Sequence, residues 1–300
     1  MKKTLVFLLF GWQAHAEETV QTPSAPPGSE ILLFDIHESD DGELSLGKAH
    51  NISNSKGYDS QPRFSKDGQF IYYTHFENGQ MDIHQYNLTH NVSTPYMVTA
   101  ESEYSPTPMP EKEGLSVVQV DVEGDQYLVL LNNQLVKEKQ TGRYSDLKQV
   151  GYFNWTQDGY LWSFVLNDNN GGDLYVQNSD KKATKVTENI GRSFITDARS
   201  EQLYFVDKKT TPWRIQKINH KSLTPKPVMV LPMGVEDFTL DSKGRFWAGR
   251  DNTLFVSLGQ QRWYIAHEFS DPHYHQITRV TTNPQANKIA IVFAEKDNSE

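Results

Sequence analysis

Gln61-Pro62-Arg63-Phe64-Ser65-Lys66-Asp67-Gly68-Gln69-Phe70-Ile71-Tyr72-Tyr73 decides how this chain is read. Its middle, Ser-Lys-Asp-Gly, has the chemistry of a tight turn. Ser and Asp side chains bond nearby backbone groups, and Gly accepts a left-handed conformation. The aromatic and branched residues that follow favour a pleated strand. Echoes of this turn stand at Glu111-Lys112-Glu113-Gly114, Thr156-Gln157-Asp158-Gly159, Ala198-Arg199-Ser200-Glu201, Asp241-Ser242-Lys243-Gly244 and Pro284-Gln285-Ala286-Asn287. Their fourth positions (68, 114, 159, 201, 244, 287) step by 46, 45, 42, 43 and 43 residues. A period of this length in a strand-rich chain predicts a radial repeat architecture.

Each repeat reads as four antiparallel strands, A to D from the inside out. In the first, A surrounds 62–64, B is 70–74, C 81–88 and D 96–99. In the fifth, A lies near 238–240, B at 245–250, C at 253–258 and D at 261–268. Hairpin signals stand at Glu123-Gly124-Asp125, Asn132-Asn133 and Asp251-Asn252. No stretch keeps a helical period for three turns, so the fold class is all-β. The sixth repeat supplies only A (277–282) and B (288–294) before the sequence ends. Residues 31–36 and 46–52 match the missing C and D. The expectation is a six-bladed β-propeller over residues 30–300, its last blade closed two-plus-two by N-terminal strands, which leaves no open radial edge.

The stretch 61–72 resembles the Pro-x-Phe-Ser-Pro-Asp-Gly repeat of TolB-type propellers, and Phe153-Asn154-Trp155-Thr156-Gln157-Asp158-Gly159 is a second good match. The other four repeats keep the spacing and lose most signature residues. The resemblance covers Glu30 to about Phe293, without room for the α/β domain that precedes the propeller in TolB. It implies a cell-envelope protein, since TolB-like proteins bind a peptidoglycan-associated lipoprotein at their propeller. Six-bladed propellers also include metal-dependent lactonases and sugar-processing hydrolases, so the resemblance leaves an enzyme open as the alternative, along with a small-ligand sensor.

Residues 1–16 read as a cleaved signal peptide: Lys2-Lys3, a short apolar run from Leu5 to Phe10, and Ala14-His15-Ala16. Residues 17–29 read as a flexible Pro-rich tail. Export to a bacterial periplasm follows, and the tail is expected to help recruit or shield a partner. The chain holds no cysteine, hence no disulfide, thiolate metal site or Cys nucleophile. Its net charge of −9, with no basic stripe, argues against nucleic acid as a partner. No apolar run is long enough to span a bilayer. A monomer is expected, with no cofactor.

Motifs for chemistry fail on inspection. No Gly-x-Ser-x-Gly elbow is present, and His267-Glu268 lacks the second His of a zinc-protease helix. His273-Tyr274-His275 places two imidazoles on one face of an extended segment, a weak candidate for metal. Position gives a better argument. In a propeller each D-to-A connection ends at one mouth of the central channel. These connections are expected to bring Tyr58, Asp59, Glu103, Tyr104, Arg143, Tyr144, Asp146, Arg192, Glu236, Asp237, His273 and His275 to that mouth as a binding surface for an envelope protein or peptide, with no catalytic residue among them.

Overall fold

The computed structural model describes residues 26–110, 114–131, 142–197, 199–259, 261–272 and 274–295. The signal-peptide segment, most of the tail, the Asn132-Asn133 hairpin and His273 lie outside the described residues.

The repeated turn is held by the side chain of its first residue. Ser65 Oγ accepts the Phe70 N–H at 2.9 Å, Thr156 Oγ1 that of Tyr160 at 2.9 Å, Asp241 Oδ1 that of Arg245 at 2.9 Å, and Asn283 Oδ1 that of Lys288 at 2.9 Å. The left-handed residue is Gly68, Gly159 and Gly244 in three repeats. In the last repeat it is Ala286, one residue earlier than the spacing placed it, because the turn is counted from Asn283, not from Pro284.

Strands then follow in order. β1 (Ser29–Glu38), β2 (Leu44–Leu46) and β3 (His50–Asn51) come first. Next are β4 (Asp59–Phe64), β5 (Phe70–Glu77), β6 (Gln80–Asn87) and β7 (Val92–Met97), then β8 (Ser102–Pro108), β9 (Leu115–Val120), β10 (Gln126–Leu131) and β11 (Gly142–Lys148). β12 (Val150–Trp155), β13 (Leu161–Leu166), β14 (Gly172–Gln177), β15 (Thr184–Asp197), β16 (Gln202–Asp207), β17 (Arg214–Ile218) and β18 (Lys226–Val230) continue the chain. It ends with β19 (Phe238–Leu240), β20 (Phe246–Arg250), β21 (Thr253–Ser257), β22 (Trp263–Glu268), β23 (Ile277–Thr282) and β24 (Lys288–Ala294).

The fold is all-β, and every pairing between these strands is antiparallel. Sheets run β4 to β7, β8 to β11, β12 to β18 and β19 to β22 in sequence order, and the fifth runs β2-β1-β24-β23. β1 lies against β24 with Ile31 opposite Val292 and Leu33 opposite Ala290, so the two ends of the described chain share one sheet. The strand outside β1 is broken into β2 and β3 rather than continuous, with Gly47 donating to the Asp35 carbonyl at the break.

The seven-stranded sheet is two repeats joined by a single 14-residue strand, β15. Its first part pairs β14 and its second part pairs β16. Gly191-Arg192-Ser193, expected as a loop between repeats, therefore lies within a strand. That segment has no proline to remove a ladder donor.

Hydrophobic clusters fill the spaces between successive four-stranded repeats. Trp162 and Leu174 meet Phe194 and Phe205; Val206 and Ile215 meet Phe238 and Phe246; Trp247 and Leu254 meet Ile289 and Phe293. Ile31 and Val292 meet Ile71 and Tyr73; Ile83 meets Val117; Val118 meets Phe153. Each large side chain buried here contributes about 1.5–3 kcal/mol of transfer free energy. No helix among the described residues is long and apolar enough to cross a membrane.

Candidate functional site

The first strand of each four-stranded unit faces its counterparts in the two neighbouring units. β4 contacts β8 and β23, β12 contacts β8 and β15, and β19 contacts β15 and β23. Five of these six strands carry a register shift in their pairing: at Ser60/Arg63, Tyr104/Thr107, Val150/Tyr152, Ile190/Phe194 and Ile277/Arg279. Gln61, Ser105, Gln149 and Asn189, at or beside four of the shifts, have left-handed φ. A bulge of this kind bends the strand and re-aims its side chains.

Between the strands lies a small, partly open cavity, lined in part by Arg63, Tyr152, Arg192, Asp237 and Arg279. Alternation along each strand puts them there. Phe64 and Val280 are buried between sheets, so Arg63 and Arg279 point the other way, inward. Arg279 Nη2 donates to the Tyr152 hydroxyl at 3.0 Å, and Nη1 lies 3.7 Å from Asp237 Oδ2. Asp237 Oδ1 accepts the Val280 N–H at 2.9 Å. Arg192 Nη2 donates to the Thr278 carbonyl at 3.1 Å, and its backbone N–H donates to Glu236 Oε1 at 2.8 Å. Burial pushes the Asp237 carboxyl up, against the pull of Arg279, Arg192 and Arg63. Burial pushes the Arg63 guanidinium down.

Tyr58 and Tyr104 belong to the same group. Burial pushes the Tyr58 hydroxyl up, and Arg279, Tyr152 and Arg192 are among its electrostatic neighbours. Burial pushes Tyr104 up to about 12, with Tyr58 and Tyr152 nearby. Of the residues expected at the mouth, Tyr58, Tyr104, Arg192, Glu236 and Asp237 are thus brought together.

Others are not. Asp59 is fully buried, bonded to His75 Nδ1 at 2.7 Å and to the Ser55 hydroxyl at 2.5 Å. Glu103 is fully buried, and its Oε1 accepts from Thr99 and from Gln119 Nε2. Burial raises the Glu103 carboxyl to about 7. Both carboxylates serve the interior of their sheets instead of the opening. Arg143, Tyr144 and Asp146 lie on β11, the outermost strand of its sheet. Arg143 packs over the Tyr127 ring and pairs with Asp121 at 3.0 Å, Tyr144 donates to the Asn178 carbonyl at 3.0 Å, and Asp146 is exposed. The polar run Gly142–Lys148 reads as a loop, but an edge strand is where charged side chains belong.

His275 is half-buried, and Tyr274 packs on Phe269 and Phe293. Among the described residues no three His, Asp or Glu side chains gather as a metal ion requires. In the cavity the lone carboxylate, Asp237, is faced by three guanidinium groups, a setting that repels a divalent cation. The residues present do not fit a channel metal of the lactonase kind.

Sequence reasoning passed over Arg63, Tyr152 and Arg279. The usable signal was alternation: each adjoins a core residue on an inner strand.

A structure described as a TolB from Agrobacterium tumefaciens matches over 91% of this chain and 100% of its own, with a TM-score of 0.67 and 12% identity. TolB from Acinetobacter baumannii matches over 91% of this chain and 67% of its own, at TM-score 0.56 and 10% identity. A gluconolactonase from Xanthomonas campestris matches over 91% and 98%, at TM-score 0.59 and 9% identity. No family model and no curated protein matches the sequence. The chain has a TolB-type β-propeller fold. At these identities the likeness carries the fold and nothing more specific.

Proposed function

We propose that this chain is a six-bladed propeller of the cell envelope, exported to the periplasm, that binds a protein or peptide at the mouth of its central channel. Six inner strands in mutual contact, with β1 zipped to β24, support the blade count and the closure. Lys2-Lys3, the apolar run and Ala14-His15-Ala16 support export. One observation carries the binding reading: Arg192 and Asp237, far apart in sequence, converge with Arg63 and Arg279 around one concave cavity, with Tyr58 and Tyr104 close to the same group. Concave openings with a few convergent polar groups are where ligands bind, and Tyr and Arg are the residue types that anchor interfaces. The TolB-type neighbours favour an envelope partner. The chain acts as a binding scaffold, and Asp237 among three arginines gives a metal-dependent hydrolysis no support.

Chemical cross-linking in the intact envelope, followed by mass spectrometry of the captured complex, tests this. Recovery of one dominant envelope partner, linked to residues around the cavity mouth, is expected. Folded protein that captures nothing contradicts the proposal.

A further inference from the structure

The cavity carries the opposite charge to the chain. The protein's net charge is −9, yet its central cavity presents Arg63, Arg192 and Arg279 against the single carboxylate of Asp237. Asp237 is already committed, to the Val280 N–H and to Arg279. Arg279 spends one arm on the Tyr152 hydroxyl, and Arg192 spends Nη2 on the Thr278 carbonyl. Two sets of donors are left. Among the described residues Arg63, partly exposed in the cavity, has no acceptor in the protein, and the buried Nε of Arg192 has none either. A donor taken from water without a partner is costly, so an acceptor that satisfies Arg192 Nε recovers that cost, and Arg63 stands open to the same acceptor.

The geometry points to a carboxylate-binding site in the channel, in which Arg63 and Arg192 receive the carboxylate of a ligand entering from the mouth and Arg279 adds charge behind it. This rests on the reading of the cavity as a ligand site and adds the chemical group recognised there. The guanidinium fork matches a planar carboxylate with two parallel hydrogen bonds. The surplus is two positive charges. A singly charged carboxylate uses that surplus without pressing a second negative charge on Asp237, as a phosphate dianion would. Low-dielectric walls concentrate the field of the arginines along the opening.

The carboxylate can come from a small acid or from a peptide terminus, and calorimetry on the full chain separates them. The probes are acetate, acetylated tri-alanine, the C-terminal amide of that peptide, and inorganic phosphate. Saturable binding of acetate supports the proposal with a small acid as source. Binding of the peptide acid and not of its amide supports it with a peptide as source. Either affinity falls at least ten-fold in Arg63→Gln and weakens as salt is raised. Arg63 donates no hydrogen bond to the protein but helps to offset the Asp237 charge, so the melting temperature of this variant is measured beside its binding. Should it fail to fold, the contrast between peptide acid and amide on the unaltered chain still decides. No binding of either carboxylate, equal binding in Arg63→Gln, or preference for phosphate overturns the proposal. Envelope partners captured equally by the unaltered chain and by Arg63→Gln overturn it while leaving the scaffold reading intact. Carboxylate binding with no partner captured does the reverse.

Discussion

Gln61 Oε1 accepts the backbone N–H of Ser105 at 2.6 Å, joining β4 to β8 across 44 residues of sequence. That separation is the repeat length, and it recurs. Arg192 N–H reaches Glu236 across 44 residues, Ser193 Oγ reaches the Phe238 carbonyl across 45, and Val280 N–H reaches Asp237 across 43. The inner strands have no ladder to one another, so these side-chain bonds set the spacing of one repeat from the next at the channel wall. All four links involve residues that line the cavity, so the packing of the inner strands and the shape of the site share the same groups.

Replacing Gln61 by Leu removes the acceptor for the Ser105 N–H and for the hydroxyls of Thr74 and Ser105, all buried. Leaving those donors unmet costs about 2–3 kcal/mol. The urea midpoint of Gln61→Leu is expected to fall with the slope unchanged. An unaltered midpoint would show that the link contributes nothing to the fold.

Asp241 anchors the turn of the fifth repeat more heavily than any glycine does. Its Oδ2 accepts Arg245 Nε at 2.6 Å and Trp247 Nε1 at 2.9 Å, and all three residues are buried. Asp241→Ala leaves the Arg245 guanidinium short of its buried partner, a loss of about 3–5 kcal/mol. Arg245 keeps Glu38 Oε2 at 3.0 Å, which holds the figure to the lower end. Thermal unfolding followed by tryptophan fluorescence measures it.

Glu103 predicts a pH dependence of stability. Burial raises its carboxyl to about 7 in the folded chain, above the 4.5 of a free glutamate. Between those values the folded protein holds a proton that the unfolded chain has released. Stability from this group is therefore complete below pH 4.5 and is lost as pH rises through 7. Glu103→Gln, which stays neutral, is expected to exceed the unaltered chain in stability by about 3 kcal/mol at pH 8 and to match it at pH 4. A constant difference across that range would mean that Glu103 ionises normally.

Much of the architecture could be read from the sequence because its signals are local. The turns at Ser65, Thr156 and Asp241 carry their own hydrogen-bonding side chain, and the apolar runs 31–36 and 288–294 leave no doubt about burial. The pairing of β1 with β24 followed from counting strands. The inner-strand bulges were not legible, because Gln61, Ser105 and Gln149 adopt left-handed φ without the glycine that announces it. Those bulges decide which side chains reach the cavity, so Arg63 and Arg279 line it without a glycine signal in the sequence, whereas position alone places Arg192 and Asp237 near it. Arg143, Tyr144 and Asp146 were misplaced for a related reason. A polar edge strand and a polar loop have the same composition, and only pairing with β10 tells them apart.

Photo-cross-linking from two positions tests directly whether function gathers at the channel mouth. Met233, strongly exposed on the connection that delivers Glu236 and Asp237, stands at one end of the strands; Leu223, exposed in the turn between β17 and β18, stands at the other. A photoreactive residue at 233 is expected to join covalently to an envelope partner, and the same residue at 223 is expected to give no adduct. Capture from 223 with none from 233 would contradict the account.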